Sequence, residues 1–136
     1  MTIRDATVAD VAGIAAIQAA SLDAAQWDPA GYLEQDCRVA IEAGVVAAFL
    51  VTRQVAPGER EILNLAVGPA WRRRGLALRL LTGELARSRG AWHLEVRESN
   101  LAAIALYQRA GFQSFGRREN YYYDPPEAAI VMRMVS

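Results

Sequence analysis

A long apolar run in the middle of the chain is followed by a short basic loop and then by a helical pattern. Residues 61–67 have the length and composition of a buried strand. The Gly68-Pro69 pair ends this strand, because proline has no amide hydrogen to donate to a ladder. Beyond the loop at residues 72–77, leucines recur at positions i, i+3 and i+7 and predict a helix: Leu78, Leu81 and Leu85.

The loop between this strand and this helix is suited to binding a phosphate group. Free backbone N–H groups and the positive end of the helix dipole meet at a helix N-terminus and attract an anion. Gly75 and Ala77 are small enough for an anion to approach the backbone closely, and the arginines of the loop supply positive charge. The alternative interpretation of the same residues is a solvated basic face or a nucleic-acid patch.

Similar patterns predict the other elements of the chain. Runs of strand-forming residues between turn residues predict strands at 2–5, 37–41, 44–52, 92–97 and 128–134, and extended segments at 112–115 and 120–123. Caps and apolar stripes predict three further helices, from Thr7 to about Leu22, from Asp28-Pro29 to about Gln35, and from Leu101 to Arg109. The resulting order, β-α-α-β-β-β-α-β-α-β-β, predicts one domain over residues 1–136, with a mixed α/β sheet and helices on both faces.

Composition narrows the class of protein. The 136 residues are 53% hydrophobic and 22% charged, which is typical of a globular domain, and the net charge of zero argues against nucleic-acid binding. No apolar run reaches the roughly 18–20 residues of a membrane span, and the N-terminus lacks a signal-peptide core, so a cytoplasmic protein without a membrane partner is expected. Cys37 is the single cysteine, which excludes an internal disulfide and a cysteine-based metal cluster, and no metal site is expected.

The spacing Arg72-x-x-Gly75-x-Ala77 resembles the Q/R-x-x-G-x-G/A signature with which GNAT acetyltransferases bind the pyrophosphate of acetyl-CoA. The resemblance implies the GNAT fold, whose mixed sheet is mostly antiparallel, and acetyl-CoA as co-substrate. It also implies that the whole loop contacts the cofactor: Arg72, Arg73, Arg74, Gly75, Leu76 and Ala77. The main chain of the preceding strand would bind pantetheine as an added strand at an open sheet edge, through Leu65, Ala66 and Val67.

Further motifs along the chain are similar to the RimI-type ribosomal-protein alanine N-acetyltransferases, bacterial enzymes that acetylate the N-terminal amine of a small-subunit ribosomal protein. These motifs are Trp27-Asp28 and residues 94–100, 105–107, 110–112, 117–122 and 127–132. The connection from Gly75 to Glu95 is about a helical turn shorter than in that group, but no motif residue is missing.

The resemblance assigns a role to three polar residues, each of which also has a purely structural interpretation. Glu95, whose strand neighbours face the opposite side, would be the general base; the alternative is a surface acid paired with Arg97. Tyr107 would protonate the departing thiolate of CoA, or would be an ordinary half-buried helix tyrosine. Asn100 would bind the cofactor while also capping its helix. His93 shares a face with Glu95 and is interpreted as a bystander rather than a proton relay.

The expected function is transfer of an acetyl group from acetyl-CoA to a protein N-terminus. The resemblance implies a ribosomal protein that begins with alanine followed by arginine, held by the tyrosines of residues 120–123, with Glu34 and Asp36 attracting the basic residue. The alternatives are a GNAT enzyme acting on a lysine side chain, a small amine or an antibiotic, and a non-catalytic acetyl-CoA-binding regulatory module.

Overall fold

Seven strands form one sheet in the computed structural model, which describes residues 1–21 and 23–136. The strand order is β1-β2-β3-β4-β5-β7-β6, and every neighbouring pair is antiparallel except β4 and β5. The strands are β1 (Thr2–Asp5), β2 (Asp36–Glu42), β3 (Val45–Ala56), β4 (Glu59–Val67), β5 (Ala91–Arg97), β6 (Gln113–Tyr122) and β7 (Glu127–Val135). The predicted mixed sheet is therefore confirmed.

The helices also follow the predicted order, with one change of type. They are α1 (Val11–Ala19), α2 (Leu76–Arg87) and α3 (Leu101–Ala110), with 3₁₀ turns at Val8–Asp10, Pro29–Glu34 and Pro69–Trp71. The short helix predicted after Asp28 is the 3₁₀ segment, and the Asp28 carboxylate accepts a hydrogen bond from the Ala30 N–H at 3.1 Å, as expected of a cap. The first helix was predicted to end near Leu22, which lies outside the described residues.

The core lies on both faces of the sheet. Helices α2 and α3 cover one face, where Leu50, Trp92 and Leu94 are buried. Helix α1 covers the other face, together with Phe49 and Val51. Because neighbouring residues of β3 point to opposite faces, this central strand is buried on both sides and needs an unbroken apolar run. The prediction of helices on both faces is confirmed.

Strand β6 differs from its prediction. The two extended segments expected at residues 112–115 and 120–123 are parts of one long strand at the outer edge of the sheet. Irregular pairing with β7 and a positive φ of 53° at Asn120 interrupt its pattern. Since residues 113–121 are exposed, no alternation of apolar and polar residues marks them as a strand.

Among the helices of the described residues, none is long and apolar enough to cross a membrane.

Candidate active site

A cleft opens where β4 and β5 separate. The two strands are paired only between residues 59–61 and residues 91–93, and beyond these residues they diverge. The cleft has a volume of about 810 Å³ and is lined by both strands, by the loop at residues 23–28, by the β6–β7 turn and by Tyr107 of α3. Parallel strands that part in this way leave main-chain groups of both strands without a strand partner. The predicted site residues Leu65, Glu95, Asn100 and Tyr107 all line this cleft.

The main chain of β4 presents its free edge to the cleft at alternate residues. The Gly68 N–H donates to the Ala47 carbonyl oxygen of β3 at 2.8 Å, and hydrogen-bonded pairs alternate along an antiparallel ladder. Ala66 is therefore bonded to β3, while the N–H and C=O groups of Leu65 and Val67 point away from β3. Two of these groups have local partners, since the Leu65 N–H donates to Asn64 Oδ1 at 3.0 Å and Arg72 donates to the Val67 oxygen at 3.2 Å.

The predicted phosphate loop leads directly into α2. Gly75 is the residue before the helix and has φ of 74°, a left-handed conformation that glycine adopts without steric cost. The first intrahelical hydrogen bond runs from the Arg79 N–H to the Gly75 carbonyl oxygen at 3.1 Å. The N–H groups of residues 76–78 precede this bond and are therefore directed out of the helix end. Leu76 itself is buried and anchors the loop to the core.

The three arginines of this loop lie in different environments. Arg72 is held by hydrogen bonds. Besides the Val67 carbonyl oxygen, its guanidinium contacts the Ser21 hydroxyl at 3.3 Å and the Ala20 carbonyl oxygen at 3.4 Å. Arg74 lies over the ring of Trp71, with 5.0 Å between the guanidinium carbon and the ring centre. Arg73 is exposed and has φ of 64°. All three arginines are exposed, but Arg72 connects the loop to the end of α1, which leaves Arg73 and Arg74 as the positive charges beside the helix end.

Glu95 projects into the cleft and is held by two side chains from β6. Its carboxylate accepts hydrogen bonds from Arg118 at 3.1 Å and from the Tyr121 hydroxyl at 3.0 Å, and its side chain is 16% exposed. Leu94 and Val96 are buried in the core on the opposite face, as the alternation predicted. The alternative pairing of Glu95 with Arg97 is wrong, because Arg97 binds Glu127 at 3.2 Å.

Tyr107 lies at the inner wall of the cleft. Its side chain is only 7% exposed and packs edge-on against Phe112, with ring centres 5.7 Å apart. Burial is the main reason that the pKa of Tyr107 lies well above the usual tyrosine value, and the neighbouring Tyr122 raises it further. The hydroxyl is therefore protonated at neutral pH, as required of a proton donor.

Asn100 lines the cleft, whereas His93 lies outside it. The Asn100 Oδ1 atom accepts a hydrogen bond from the Ala103 N–H at 3.2 Å, so its predicted capping of α3 is confirmed, and the residue also lines the cleft. His93 lies at the paired base of β4 and β5, where its Nε2 is 3.5 Å from a Glu61 carboxylate oxygen. It contributes to a second, smaller cavity rather than to the cleft.

A buried polar network that the sequence analysis did not identify connects β4 to the wall of the cleft. Asn64 Nδ2 lies within hydrogen-bond distance of Gln18 Oε1 (3.1 Å), the Tyr32 hydroxyl (3.1 Å) and the Ala25 carbonyl oxygen (3.0 Å). The Tyr32 hydroxyl in turn donates to Gln18. The available signal was a polar residue inside an otherwise apolar pattern, since Gln18 follows Ile17 on α1 and Asn64 interrupts the apolar part of β4.

Acidic side chains from loops line the cleft, but they are not Glu34 and Asp36, which the sequence led us to expect. The lining includes Asp23, Asp28 and Asp124, which come from two different loops. Among the described residues, Glu34 and Asp36 lie outside this lining, and Asp36 is paired with Arg60. The expected attraction of a basic residue by Glu34 and Asp36 is therefore not supported by their positions.

Comparisons with known proteins agree with this geometry. The model of the Acetyltransferase (GNAT) family matches residues 13–112. The chain is 45% identical over 98 residues to the [ribosomal protein bS18]-alanine N-acetyltransferase of Escherichia coli K12, a match that covers 67% of this chain and 65% of that protein. It is 44% identical over 78 residues to the N-alpha-acetyltransferase RimI of Mycobacterium tuberculosis, covering 57% of this chain and 49% of the relative.

Solved structures are similar over nearly the whole chain. The crystal structure of the ribosomal-protein-S18-alanine N-acetyltransferase from Escherichia coli has a TM-score of 0.80 and 32% identity, over 98% of this chain and 92% of that chain. The structure of Ard1 from Thermoplasma volcanium has a TM-score of 0.87 and 27% identity, over 98% and 96% of the two chains. The predicted GNAT fold is confirmed, and the chain belongs to the GNAT acetyltransferase family.

Proposed function

We propose that this protein transfers the acetyl group of acetyl-CoA to the N-terminal α-amine of a protein, and that the acceptor is the N-terminal alanine of a small-subunit ribosomal protein. The observation that carries the proposal is the cleft between β4 and β5, in which an acidic side chain and a protonated tyrosine face the free edge of a strand. The names of the E. coli and M. tuberculosis relatives support the choice of a protein N-terminus.

Acetyl-CoA fits groups at the cleft together with groups of Val67 and the start of α2, which lie outside the cleft lining. The N–H groups at the start of α2 and the exposed charges of Arg73 and Arg74 suit the pyrophosphate. The main chain of Leu65 and Val67 suits the amide groups of pantetheine, which would extend the sheet at its free edge. When bound, acetyl-CoA supplies an acetyl thioester as the acyl donor.

Glu95 and Tyr107 would carry the two proton transfers of the reaction. Glu95 accepts a proton from the α-amine, and the amine nitrogen then forms a bond to the carbonyl carbon as the carbon–sulfur bond breaks. Tyr107 donates its proton to the departing sulfur, which leaves as the free thiol of CoA. The α-amine enters as an ammonium group, so its nitrogen also loses a second proton, which passes to water once the bond has formed. Tyr107 is reprotonated from solvent and Glu95 releases its proton to solvent, so the products are the acetylated amine, CoA and one proton, and atoms and charges balance.

An α-amine is a better acceptor for this site than a lysine side chain. Its pKa is about 7.7–8.0, compared with about 10.4 for lysine, so a single carboxylate base has a smaller difference to overcome. Trp27, Tyr121 and Tyr123 at the cleft contribute rings that suit an extended peptide. Asp23, Asp28 and Asp124 replace Glu34 and Asp36 as the acids placed to attract a basic second residue.

The test compares two related peptides. One begins with free Ala-Arg, and the other has the same sequence but is blocked at its N-terminus and carries a lysine. We expect kcat/KM for the free α-amine to be at least about ten times that for the lysine, which corresponds to about 1.4 kcal/mol. Mass spectrometry locates the acetyl group. Preferential acetylation of lysine, or of a free polyamine, would refute the proposed acceptor but not the fold.

A further inference from the structure

One arginine next to the proposed base is bound to the turn between β6 and β7. Arg97 donates hydrogen bonds to the Tyr123 carbonyl oxygen at 3.0 Å and to the Pro125 carbonyl oxygen at 3.1 Å. Its guanidinium also lies over the ring of Tyr122, with 4.5 Å between the guanidinium carbon and the ring centre. A planar guanidinium is suited to such divergent contacts, whereas an ammonium group is not. Arg97 therefore fixes the turn that follows Tyr121, the side chain bound to Glu95.

The partner of Arg97 connects the same turn to the start of α3. Glu127 Oε1 accepts a hydrogen bond from Arg97 at 3.2 Å, and Glu127 Oε2 accepts one from the Ser99 N–H at 2.6 Å. Ser99 directly precedes Asn100, the cap of the helix that carries Tyr107. The Arg97 and Glu127 side chains are 16% and 17% exposed, so water screens this pair less than it screens a fully exposed ion pair.

The register of the sheet explains why one arginine reaches Glu127 and another reaches Glu95. Arg97 of β5 and Arg118 of β6 both lie opposite Ala129 of β7, and residues paired in this way project from the same face. The small, fully buried Ala129 leaves room for both long side chains. Arg118 then extends across β7 to Glu95 of β5, and Arg97 extends to Glu127, two residues before Ala129 on β7.

We propose that Arg97 and Glu127 are a pair of positioning residues that holds the proposed base, the proposed acid and the acceptor-binding turn in one arrangement. The pair joins β5, which carries Glu95, to the turn that follows Tyr121 of β6 and to the start of α3, the helix that carries Tyr107. Neither Arg97 nor Glu127 takes part in proton transfer. This inference rests on the proposed function for its kinetic consequences, but the arrangement itself can be measured without an acceptor.

The test compares Arg97→Met, Glu127→Gln and the double variant with wild type, well below the unfolding temperature of each. We expect Arg97→Met to lower kcat for an Ala-Arg peptide about 10- to 100-fold, because a displacement of about 1 Å at catalytic groups has effects of this size. The dissociation constant of acetyl-CoA should change far less, since the phosphate loop belongs to α2. The double variant should be no slower than the slower single variant, because both remove the same interaction.

Two further variants distinguish a loss of kcat caused by lost positioning from one caused by lower stability of the fold. Arg97→Lys keeps the charge but not the divergent hydrogen bonds, so its kcat should lie between those of wild type and Arg97→Met. Arg4→Met removes an ion pair with Asp10, at 2.7 Å and outside the cleft, and should lower stability without changing kcat. Wild-type kcat in the folded Arg97→Met variant would overturn the proposal.

Amide hydrogen exchange provides the measurement that needs no acceptor. In Arg97→Met, exchange should accelerate both at Tyr123 and Asp124, the residues of the β6–β7 turn that have an N–H, and at the start of α3, whereas Arg4→Met should leave both segments unchanged. If wild type acetylates no peptide, the proposed function fails, and the exchange rates alone decide whether the pair holds these elements. Unchanged exchange in both segments of Arg97→Met would overturn the positioning role whatever the activity.

Discussion

Replacing Gly75 tests the phosphate loop with little steric disturbance inside the protein. Gly75 has φ of 74°, and a Cβ atom added there would meet no other atom within 4 Å. The cost of Gly75→Ala to the free energy of unfolding is therefore the left-handed backbone strain alone, about 1–2 kcal/mol. Valine adds a branched Cβ that resists this conformation more strongly. The unfolding midpoint should fall by several degrees in the alanine variant, and further in the valine variant.

The effect on acetyl-CoA should exceed this loss of stability. Relief of the strain rotates the N–H groups at the start of α2, and the new side chain lies where the phosphate must approach. A hydrogen bond to a charged group is worth about 1.5–3 kcal/mol, so the loss of one alone weakens binding by about 10- to 100-fold. Isothermal titration calorimetry of folded Gly75→Ala and Gly75→Val with acetyl-CoA measures this loss, which should be larger for valine.

Gly44 provides the matched control. It has φ of 77° in the β2–β3 turn, and an added Cβ would likewise meet nothing within 4 Å. Gly44→Val should therefore lose similar stability and keep wild-type affinity for acetyl-CoA. Unchanged affinity in folded Gly75→Val would refute the assignment of the phosphate loop. An equal loss of affinity in Gly44→Val would show that affinity merely follows stability.

Three further predictions address the proposed acid and base and the stability of the fold. Glu95→Gln should preserve acetyl-CoA affinity and lower kcat by about 10²–10⁴, with residual activity that rises with pH; wild-type kcat and pH profile would exclude Glu95 as the base. Tyr107→Phe should slow turnover less for thioesters with more acidic thiols, and an equal loss across leaving groups would indicate a positioning role. The hydrogen bond from Arg4 lowers the pKa of Asp10 from 3.8 to about 2, so the ionised carboxylate stabilises the folded state. This stabilisation should be complete above about pH 4 and disappear as the pH falls towards about 2. Denaturant unfolding of wild type and Asp10→Asn over this range measures it, and identical pH dependence would contradict the assignment.

Local structure along the chain was largely predictable. The strand, loop and helix around Gly75 follow from short-range rules, because a proline ends a ladder, a glycine adopts positive φ and leucines repeat at helical spacing. The same holds for Asn100, which caps α3 as predicted. The exposed strand β6 was the weakest prediction, since an edge strand with two exposed faces carries no hydrophobic alternation.

The hydrogen-bond partners of the site residues could be identified only from the tertiary structure. Glu95 could be identified on its strand by period-two alternation, but its partners Arg118 and Tyr121 lie on β6, beyond the intervening strand β7. Sequence patterns report spacing within an element, whereas contacts between strands depend on strand order and register. Arg97, the partner in the alternative structural interpretation of Glu95, lies only two residues away, yet it binds Glu127.

By itself, the sequence therefore determined the order of elements, the strand, loop and helix around Gly75, and the residue types available for acid and base, because each depends on interactions within a few residues. Only the tertiary structure decided that β4 and β5 part beyond residue 61, which opens the cleft, and that Asn64 and Gln18 meet although 46 positions separate them. These features arise when distant segments pack against one another. No local rule specifies them, since the free energy that selects them comes from burial and pairing across the whole sheet.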